Sequence, residues 1–341
     1  MKPKVFITRK IPESGIALLR EYCQVRVYPR DRVAPREELV KGVKWCHALL
    51  CLLTDSIDRE LISAGPTLRV IANYAVGFDN IDIKAATERN IPVTNTPEVL
   101  TDAVAEHTFA LMMAIARRIP ESDRFTRAGK YQGWEPMLLL GTELKGKTLG
   151  IIGPGRIGAG VAQRAATGMG MNILYFDVTR NLQFEKMYNA KFAKIDDILT
   201  KADFITIHVP LLPTTRHLIG AEQLQMMKPT AYLINTSRGP VIDEKALVKT
   251  LKKRGIAGAA LDVYEFEPKL SAGLKRLDNV VLTPHTASGT YETRAAMSEL
   301  AARNILDVLR GKTPQNLVNK EVEDFISKEP LLDSSGLGAE T

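Results

Sequence analysis

The segment Gly153-Pro154-Gly155-Arg156-Ile157-Gly158 combines residue types and a spacing that can do chemistry. It follows the apolar run Leu149-Gly150-Ile151-Ile152 and leads into small residues of helical character. Three glycines so placed between a strand and a helix form a cradle for a pyrophosphate. Gly153 permits the tight turn, Gly155 lets backbone approach the phosphates, and Gly158 lets helix and strand pack closely. The helix N-terminus adds open N–H groups and partial positive charge. Pro154 has no N–H, so the phosphate contacts are expected from Gly155 onward, through Arg156 and Ile157, with the Arg156 side chain as a helper. Asp177 ends the next apolar run, 19 residues beyond Gly158. A carboxylate there accepts from adenosine ribose hydroxyls and repels a 2′-phosphate. The expected cofactor is NAD, with NADP possible because Arg180, three residues on, offsets part of that repulsion.

Such a cradle needs strands ending beneath it and helices starting above it. Short β-rich runs occur at 5–8, 48–53, 70–72, 148–152, 173–176, 204–208, 232–235 and 280–283. Stretches with apolar residues at three- and four-residue spacing lie between most of them. The alternation predicts an α/β protein with two Rossmann-like or flavodoxin-like domains, parallel sheets and a cleft between them. Pro97 breaks the chain before Thr101 and Asp102, either of which can cap a helix over 103–118. That helix is apolar nearly all round and suits burial between domains. A second helix is expected over 292–309. One domain is therefore expected to comprise 1–99 plus 290–320, and the other 100–289. Residues 321–341, with Pro330, Ser334, Ser335, Gly336 and Gly338, read as a loosely held C-terminal tail.

A length of 341 residues suits two domains, and 45% hydrophobic with 25% charged residues excludes disordered and collagen-like classes. The longest near-unbroken apolar run, 109–116, is far short of the ~20 residues a membrane helix needs. The first ten residues carry no signal-peptide pattern, so a cytoplasmic protein without a membrane partner is expected. Forty-six basic against 39 acidic residues give a net charge of +7, but the basic residues are scattered. No basic block, zinc-finger spacing or aromatic RNA-binding signature occurs, so no nucleic-acid partner is expected. A basic surface instead attracts small anionic substrates. Cys23, Cys46 and Cys51 form no CxxC pair and the histidines no HExxH, which predicts free buried thiols and no metal site.

Three further segments carry polar and charged chemistry: Asn235-Thr236-Ser237-Arg238-Gly239, Asp262-Val263-Tyr264-Glu265-Phe266-Glu267-Pro268 and Pro284-His285-Thr286-Ala287-Ser288. Together with the glycine motif they resemble the D-2-hydroxyacid dehydrogenase family, from about residue 3 to 320. The likeness is closest to the glyoxylate and hydroxypyruvate reductases, through Tyr74-Ala75-Val76-Gly77-Phe78-Asp79-Asn80-Ile81-Asp82 and Thr94-Asn95-Thr96-Pro97. It implies NAD(P)H-dependent reduction of a small 2-keto acid to the D-2-hydroxy acid, with Arg238, Glu267 and His285 as the catalytic triad. The chemistry agrees. The keto acid needs a cation for its carboxylate and carbonyl oxygen, which the planar fork of Arg238 supplies. The developing alkoxide needs a proton donor, and an imidazole titrates near working pH. A carboxylate partner orients that ring and favours its protonated form. Glu267 is preferred to Glu265 because it lies 29 residues beyond Arg238, the spacing the family has.

The resemblance also places the substrate carboxylate on the N–H groups of Val76 and Gly77. It puts Leu52, Leu53 and Tyr74 beside the substrate, with Trp134 over the pocket. Arg238 and His285 contact both substrate and cofactor. Thr236, Ser237, Asp262 and Ser288 are assigned to the nicotinamide or its ribose, and His208, Val209 and Pro210 flank adenine and ribose. His47, His107 and His217 are expected to be packed or surface residues. Ala287 stands where the family usually has glycine. A homodimer is implied.

Alternatives on the same fold are D-lactate-type, phosphoglycerate and phosphite dehydrogenases. Phosphite dehydrogenases are similar at Lys130-Tyr131-Gln132-Gly133-Trp134 but carry lysine where Val76 stands. Phosphoglycerate dehydrogenases often append a regulatory domain, for which too few residues follow Asn319. Formate dehydrogenases lack the carboxylate that Glu267 supplies. An NAD-sensing corepressor is the alternative of a different class, and turnover with glyoxylate separates it from the enzymes.

Overall fold

Parallel strands buried on both faces are short, aliphatic and β-branched, and most of the runs above become such strands. The computed structural model describes residues 2–328 and 330–333. The chain divides into one unit of Met1–Leu100 with Gly289–Thr341 and a second of Thr101–Ser288.

The first unit holds β1 (Lys4–Ile7), β2 (Gln24–Val27), β3 (Ala48–Cys51), β4 (Val70–Asn73) and β5 (Val93–Thr94), in the order β2-β1-β3-β4-β5. All neighbours are parallel, which is the flavodoxin-like arrangement. The helix Tyr291–Leu309 belongs to this unit and packs on the helix Glu13–Tyr22. Their backbones meet at Gly15, where a Cβ would lie 2.2 Å from the Ser298 carbonyl oxygen.

The second unit holds β6 (Thr148–Ile152), β7 (Asn172–Phe176), β8 (Lys191–Phe192), β9 (Phe204–Ile207), β10 (Tyr232–Asn235), β11 (Gly258–Leu261) and β12 (Val280–Leu282). Their order is β12-β11-β10-β9-β6-β7-β8, again all parallel. Strand order reverses at β6, which pairs with β7 on one side and β9 on the other. Ligands of such sheets bind at that switch point, beyond the carboxyl ends of the strands. Alternation along the strands fills two layers. Ile152, Ile205, Ile207, Leu233 and Leu261 enter one, and Leu149, Ile151, Phe204, Ile234 and Ala260 enter the other. The expected helix over 103–118 is Thr101–Ala116, and Leu111, Met112 and Ile115 complete the second layer. It passes close over β11 because Gly258 is small: a Cβ there would lie 3.3 Å from Ile115.

The expectation of a loose tail from 321 needs correction. Lys320–Val322 forms a 3-10 turn and Glu323–Ile326 a short helix. Burial of Val322 and Ile326, four residues apart on one helical face, holds this segment down. The N–H groups of Leu331 and Leu332 both donate to the Leu309 carbonyl. Ser334, Ser335, Gly336 and Gly338 lie outside the described residues. Cys23, Cys46 and Cys51 are free and buried. Among the described residues no helix is long and apolar enough to cross a membrane.

Candidate active site

The glycine motif follows β6 directly. Gly153 has φ of +87°, and a Cβ on it would lie 2.8 Å from Val209. Only glycine satisfies both conditions without strain. A Cβ on Gly158 would lie 2.7 Å from the Gly153 carbonyl oxygen, so the helix Arg156–Gln163 can start this close only without one. Gly155 differs, since nothing lies within 4 Å of its Cβ position, and its outer face is open. The first intrahelical bond runs from the Ala159 N–H to the Gly155 carbonyl, so the Ile157 and Gly158 amides open at the helix end. Arg156 is exposed. Asp177 follows β7 and accepts from the Val178 N–H at 2.7 Å. His208 follows β9, with Nε2 2.9 Å from Thr206 Oγ1, and desolvation pushes its pKa down to about 3. It is therefore a neutral ring near neutral pH. Val209 stands beside Gly153, and Pro210 is exposed. This open, glycine-lined helix end, with the Asp177 carboxylate beyond the neighbouring strand, fits a dinucleotide.

Arg238, Glu267 and His285 follow β10, β11 and β12 respectively. The strands are parallel neighbours, so all three residues emerge at the carboxyl end of one sheet. Fully buried Asn235 shapes the first loop. Its Nδ2 donates to the Arg238 carbonyl at 2.9 Å, and its Oδ1 accepts from Ser237 N–H and Oγ at 3.0 and 2.8 Å. Thr236 Oγ1 lies 2.7 Å from Thr108 Oγ1. Arg238 Nη1 donates to the Ser237 carbonyl. Gly239 presses this loop onto the next, for a Cβ there would lie 1.9 Å from the Tyr264 carbonyl.

His285 Nδ1 lies 2.9 Å from Glu267 Oε2, and Glu267 Oε1 accepts from the Tyr264 N–H at 2.9 Å. The carboxylate thus occupies Nδ1 and orients the ring with Nε2 as its other nitrogen. Glu265 points elsewhere. Its Oε1 lies 2.7 Å from His217 Nε2, and its Oε2 accepts from the Glu244 N–H. Buried Glu244 returns the contact, accepting from the N–H groups of Glu265 and Ser271 at 2.8 and 2.6 Å. It thereby staples both ends of the loop that presents Glu267.

Asp262, expected as a cofactor contact, also braces the loop that carries His285. It is fully buried, and both oxygens are committed to the His285 loop. Oδ1 accepts from Thr283 Oγ1 at 2.6 Å and the Thr286 N–H at 2.8 Å, and Oδ2 accepts from the Ala287 N–H at 2.8 Å. Burial raises its pKa, but the hydrogen bonds from His107, Thr283, Thr286 and Ala287 together outweigh this and hold the carboxyl below its ordinary range. The His285 N–H donates to the Asp262 carbonyl, and His285 adopts φ of +54°, a left-handed conformation uncommon outside glycine. His107, read from sequence as an ordinary residue, joins this network with Nε2 3.1 Å from Thr283 Oγ1 and 3.5 Å from Asp262 Oδ1. Ala287 is buried and Ser288 half-buried.

In the first unit, the turn after β4 is held from its inner side. The carbonyls of Ala75, Val76 and Gly77 accept from the Thr96 N–H at 2.9 Å, Asn95 Nδ2 at 2.7 Å and Asn73 Nδ2 at 2.7 Å. In a trans peptide N–H and C=O point opposite ways, so pinning these carbonyls turns the N–H groups of Val76, Gly77 and Phe78 outward. Among the described residues, no backbone carbonyl accepts from Val76 or Gly77 N–H. Asn80 Nδ2 bonds the carbonyls of Leu52 and Asp55, tying this turn to the one bearing half-buried Leu52 and Leu53. Tyr74, expected against substrate, is 3% exposed and gives its hydroxyl to the Arg294 carbonyl at 2.7 Å, which ties it to the packed support of this turn. Trp134, in the second unit, is 82% exposed. Among the described residues, no group of three His, Cys, Asp or Glu is placed to hold a metal ion.

The second unit's sequence matches the family model for the D-isomer specific 2-hydroxyacid dehydrogenase NAD-binding domain over residues 109–287. A glyoxylate reductase of Korarchaeum cryptofilum is 51% identical over 324 residues, covering 94% of this chain and 97% of that one. Among solved structures, the TT0316 protein of Thermus thermophilus has a TM-score of 0.88 at 41% identity, covering 92% of this chain and 99% of that one. An NADPH-dependent glyoxylate/hydroxypyruvate reductase of Sinorhizobium meliloti, in complex with NADP and malonate, has a TM-score of 0.83 at 29% identity, covering 94% and 98%. Likeness of this extent, over nearly the whole of each chain, leaves one assignment: the chain belongs to the D-isomer specific 2-hydroxyacid dehydrogenases.

Proposed function

We propose that this oxidoreductase reduces glyoxylate, hydroxypyruvate and 2-keto acids of similar size to their 2-hydroxy acids, with NADH as the preferred reductant. The glyoxylate reductase relatives support the substrate class. The cofactor supplies hydride when bound, and the second unit holds it through Gly153, Gly155, Arg156, Ile157, Gly158 and Asp177. Val209, Pro210, Thr236, Ser237 and Ser288 border that site. The first unit receives the substrate carboxylate on the N–H groups of Val76 and Gly77. Arg238 holds carboxylate and carbonyl oxygen and opposes the negative charge that grows there. His285 gives the proton on Nε2 to the developing alkoxide, while Glu267 keeps Nδ1 engaged and the ring aimed.

The observation that carries this reading is the 2.9 Å pair of His285 and Glu267 in a loop that Asp262 fixes. Leu52 and Leu53 lie on the turn that Asn80 joins to the Val76–Gly77 turn and favour small substrates. Initial rates with glyoxylate, hydroxypyruvate, pyruvate and phenylpyruvate, each with NADH and NADPH, test it. Glyoxylate and hydroxypyruvate should lead; phenylpyruvate as the best substrate would refute the assignment.

A homodimer is part of the proposal. Ile119, Tyr131, Trp134, Met137 and Leu140 are each more than half exposed within one short stretch of the second unit, an apolar surface that suits burial by a second copy. Light scattering of Trp134→Asp/Met137→Asp against the unaltered protein tests it. The cytoplasm suits three free, buried thiols.

A further inference from the structure

The turn after β7 holds a cation that the adenosine reading leaves without a task. Arg180 stands three residues beyond Asp177, where its guanidinium would be the natural partner of a ribose 2′-phosphate. It is engaged elsewhere. Arg180 Nε and Nη2 donate to Glu185 Oε1 and Oε2 at 2.7 and 2.8 Å, a bidentate pair. The two partners are held unequally: the Arg180 side chain is 61% exposed and that of Glu185 only 16%.

Glu185 rests on a built support. Its Oε1 also accepts from the Tyr175 hydroxyl at 2.8 Å, and that hydroxyl accepts from the Asn181 N–H at 2.8 Å. The Tyr175 ring is fully buried, edge-on to Phe184 and Phe192 with centroids 4.9 and 5.4 Å away. Asn181 caps the helix Leu182–Tyr188, which carries Glu185. Hydrogen bonds from Arg180 first, and then Tyr175, push the Glu185 carboxyl down to about 2, so it stays ionised at any working pH. Most exposed ion pairs contribute little, but a bidentate pair on a fixed carboxylate is the exception.

We propose that Glu185 is a specificity-determining residue: by holding Arg180 in a bidentate pair it denies this cation to a 2′-phosphate, so the choice of NADH over NADPH rests on Glu185 as well as Asp177. The inference rests on the reading that the Gly153–Gly158 loop and Asp177 hold the adenosine half of the cofactor. A 2′-phosphate arriving there meets two carboxylates and a cation already neutralised. Removing the Glu185 charge subtracts one repulsion and releases a five-donor fork.

Titration calorimetry with NADH and NADPH, which differ only in that phosphate, tests the proposal on the full-length enzyme. Glu185→Gln keeps an acceptor for Tyr175 but weakens the hold on Arg180. It should tighten NADPH at least tenfold, about 1.4 kcal/mol, and leave NADH within about twofold. Adding Arg180→Leu to that variant should abolish the gain. Unchanged NADPH affinity in Glu185→Gln, with NADH still bound, overturns the proposal. Arg180→Leu alone gives a second test that leaves Glu185 intact: its carboxylate is then unneutralised, so NADPH should bind no more tightly than to the unaltered enzyme, and tighter binding would overturn the proposal. Asp177→Ala checks the underlying reading. Weaker NADH binding supports it, and unchanged NADH binding removes the adenosine from this turn and the proposal with it.

Discussion

Asp262→Asn is the sharpest probe of how the loop that carries His285 is built. The substitution keeps the shape and removes one acceptor. Oδ1 serves two donors, Thr283 Oγ1 and the Thr286 N–H, and Oδ2 serves the Ala287 N–H. The single amide oxygen will take the Oδ1 place, which leaves the NH2 group facing the Ala287 N–H. A buried donor without an acceptor costs about 1–3 kcal/mol, and the two bonds that remain lose their charge assistance. A total near 3 kcal/mol follows, which lowers Tm by about 6–12 °C for a domain of this size. His285 shares that loop, so kcat should fall ~10–100-fold, as expected for misplacement of a catalytic group by an ångström or less. The pH dependence supplies a second reading. The Asp262 carboxyl lies below its ordinary value of 3.8, so its stabilisation is complete above 3.8 and disappears as pH falls through the folded-state value. Tm of the unaltered enzyme should therefore drop more steeply than that of the variant in acid, and the two curves should converge. Thermal melts across pH, with initial rates at saturating NADH, measure all three effects. Parallel acid limbs, or a variant within about 2 °C and twofold of the unaltered enzyme, would show that the loop does not depend on this carboxylate.

Glu267→Gln removes the carboxylate that holds His285 Nδ1, so kcat for reduction should fall ~10–100-fold with substrate KM little changed; an unchanged kcat would exclude Glu267 as the partner. Asn95→Ala frees the Val76 carbonyl and should raise KM for glyoxylate ~10-fold, the loss of one well-aimed hydrogen bond, without altering NADH affinity. Equal effects on both ligands would mean a general loss of structure. Gly239→Ala places a methyl 1.9 Å from the Tyr264 carbonyl, so the Arg238 and Glu267 loops must part. We expect a loss of ~1–3 kcal/mol or more together with reduced kcat, and a native melting temperature would refute that contact.

The sequence revealed those parts of the molecule in which one residue type must serve one local geometry. Gly153 needs a positive φ and Gly158 a close carbonyl, and both conditions arise within six residues. The strands β6, β9 and β10 were legible because their β-branched and aromatic runs are buried on both faces. Strand β11 was missed because Gly-Ala-Ala-Leu has no strand signature; small residues are there to admit the Thr101–Ala116 helix. Strand β2 was missed because its side chains are partly exposed, and β8 because it has two residues. The held segment after 320 is illegible because Pro, Ser and Gly beyond 329 dominate the composition around the pair Val322 and Ile326.

The supporting residues of the site were illegible for a different reason. Asn73, His107 and Glu244 are common types without a motif, Asn95 lies in a motif that does not reveal its partner, and several bind chain far away in sequence, His107 and Thr283 being 176 positions apart. Their task is the same in both units. Asn73 and Asn95 take the carbonyls behind the Val76–Gly77 turn so that its N–H groups face outward, and Asp262 and Glu244 take the N–H groups of the loops that carry His285 and Glu267. In each case a polar side chain satisfies the inner side of a loop, and the groups able to act on an anion are left on its outer side. Loops held this way keep their donors aimed before substrate arrives, so little reorganisation remains for the reaction step. A substitution in the hidden layer should therefore damage turnover while leaving every group that touches substrate chemically intact.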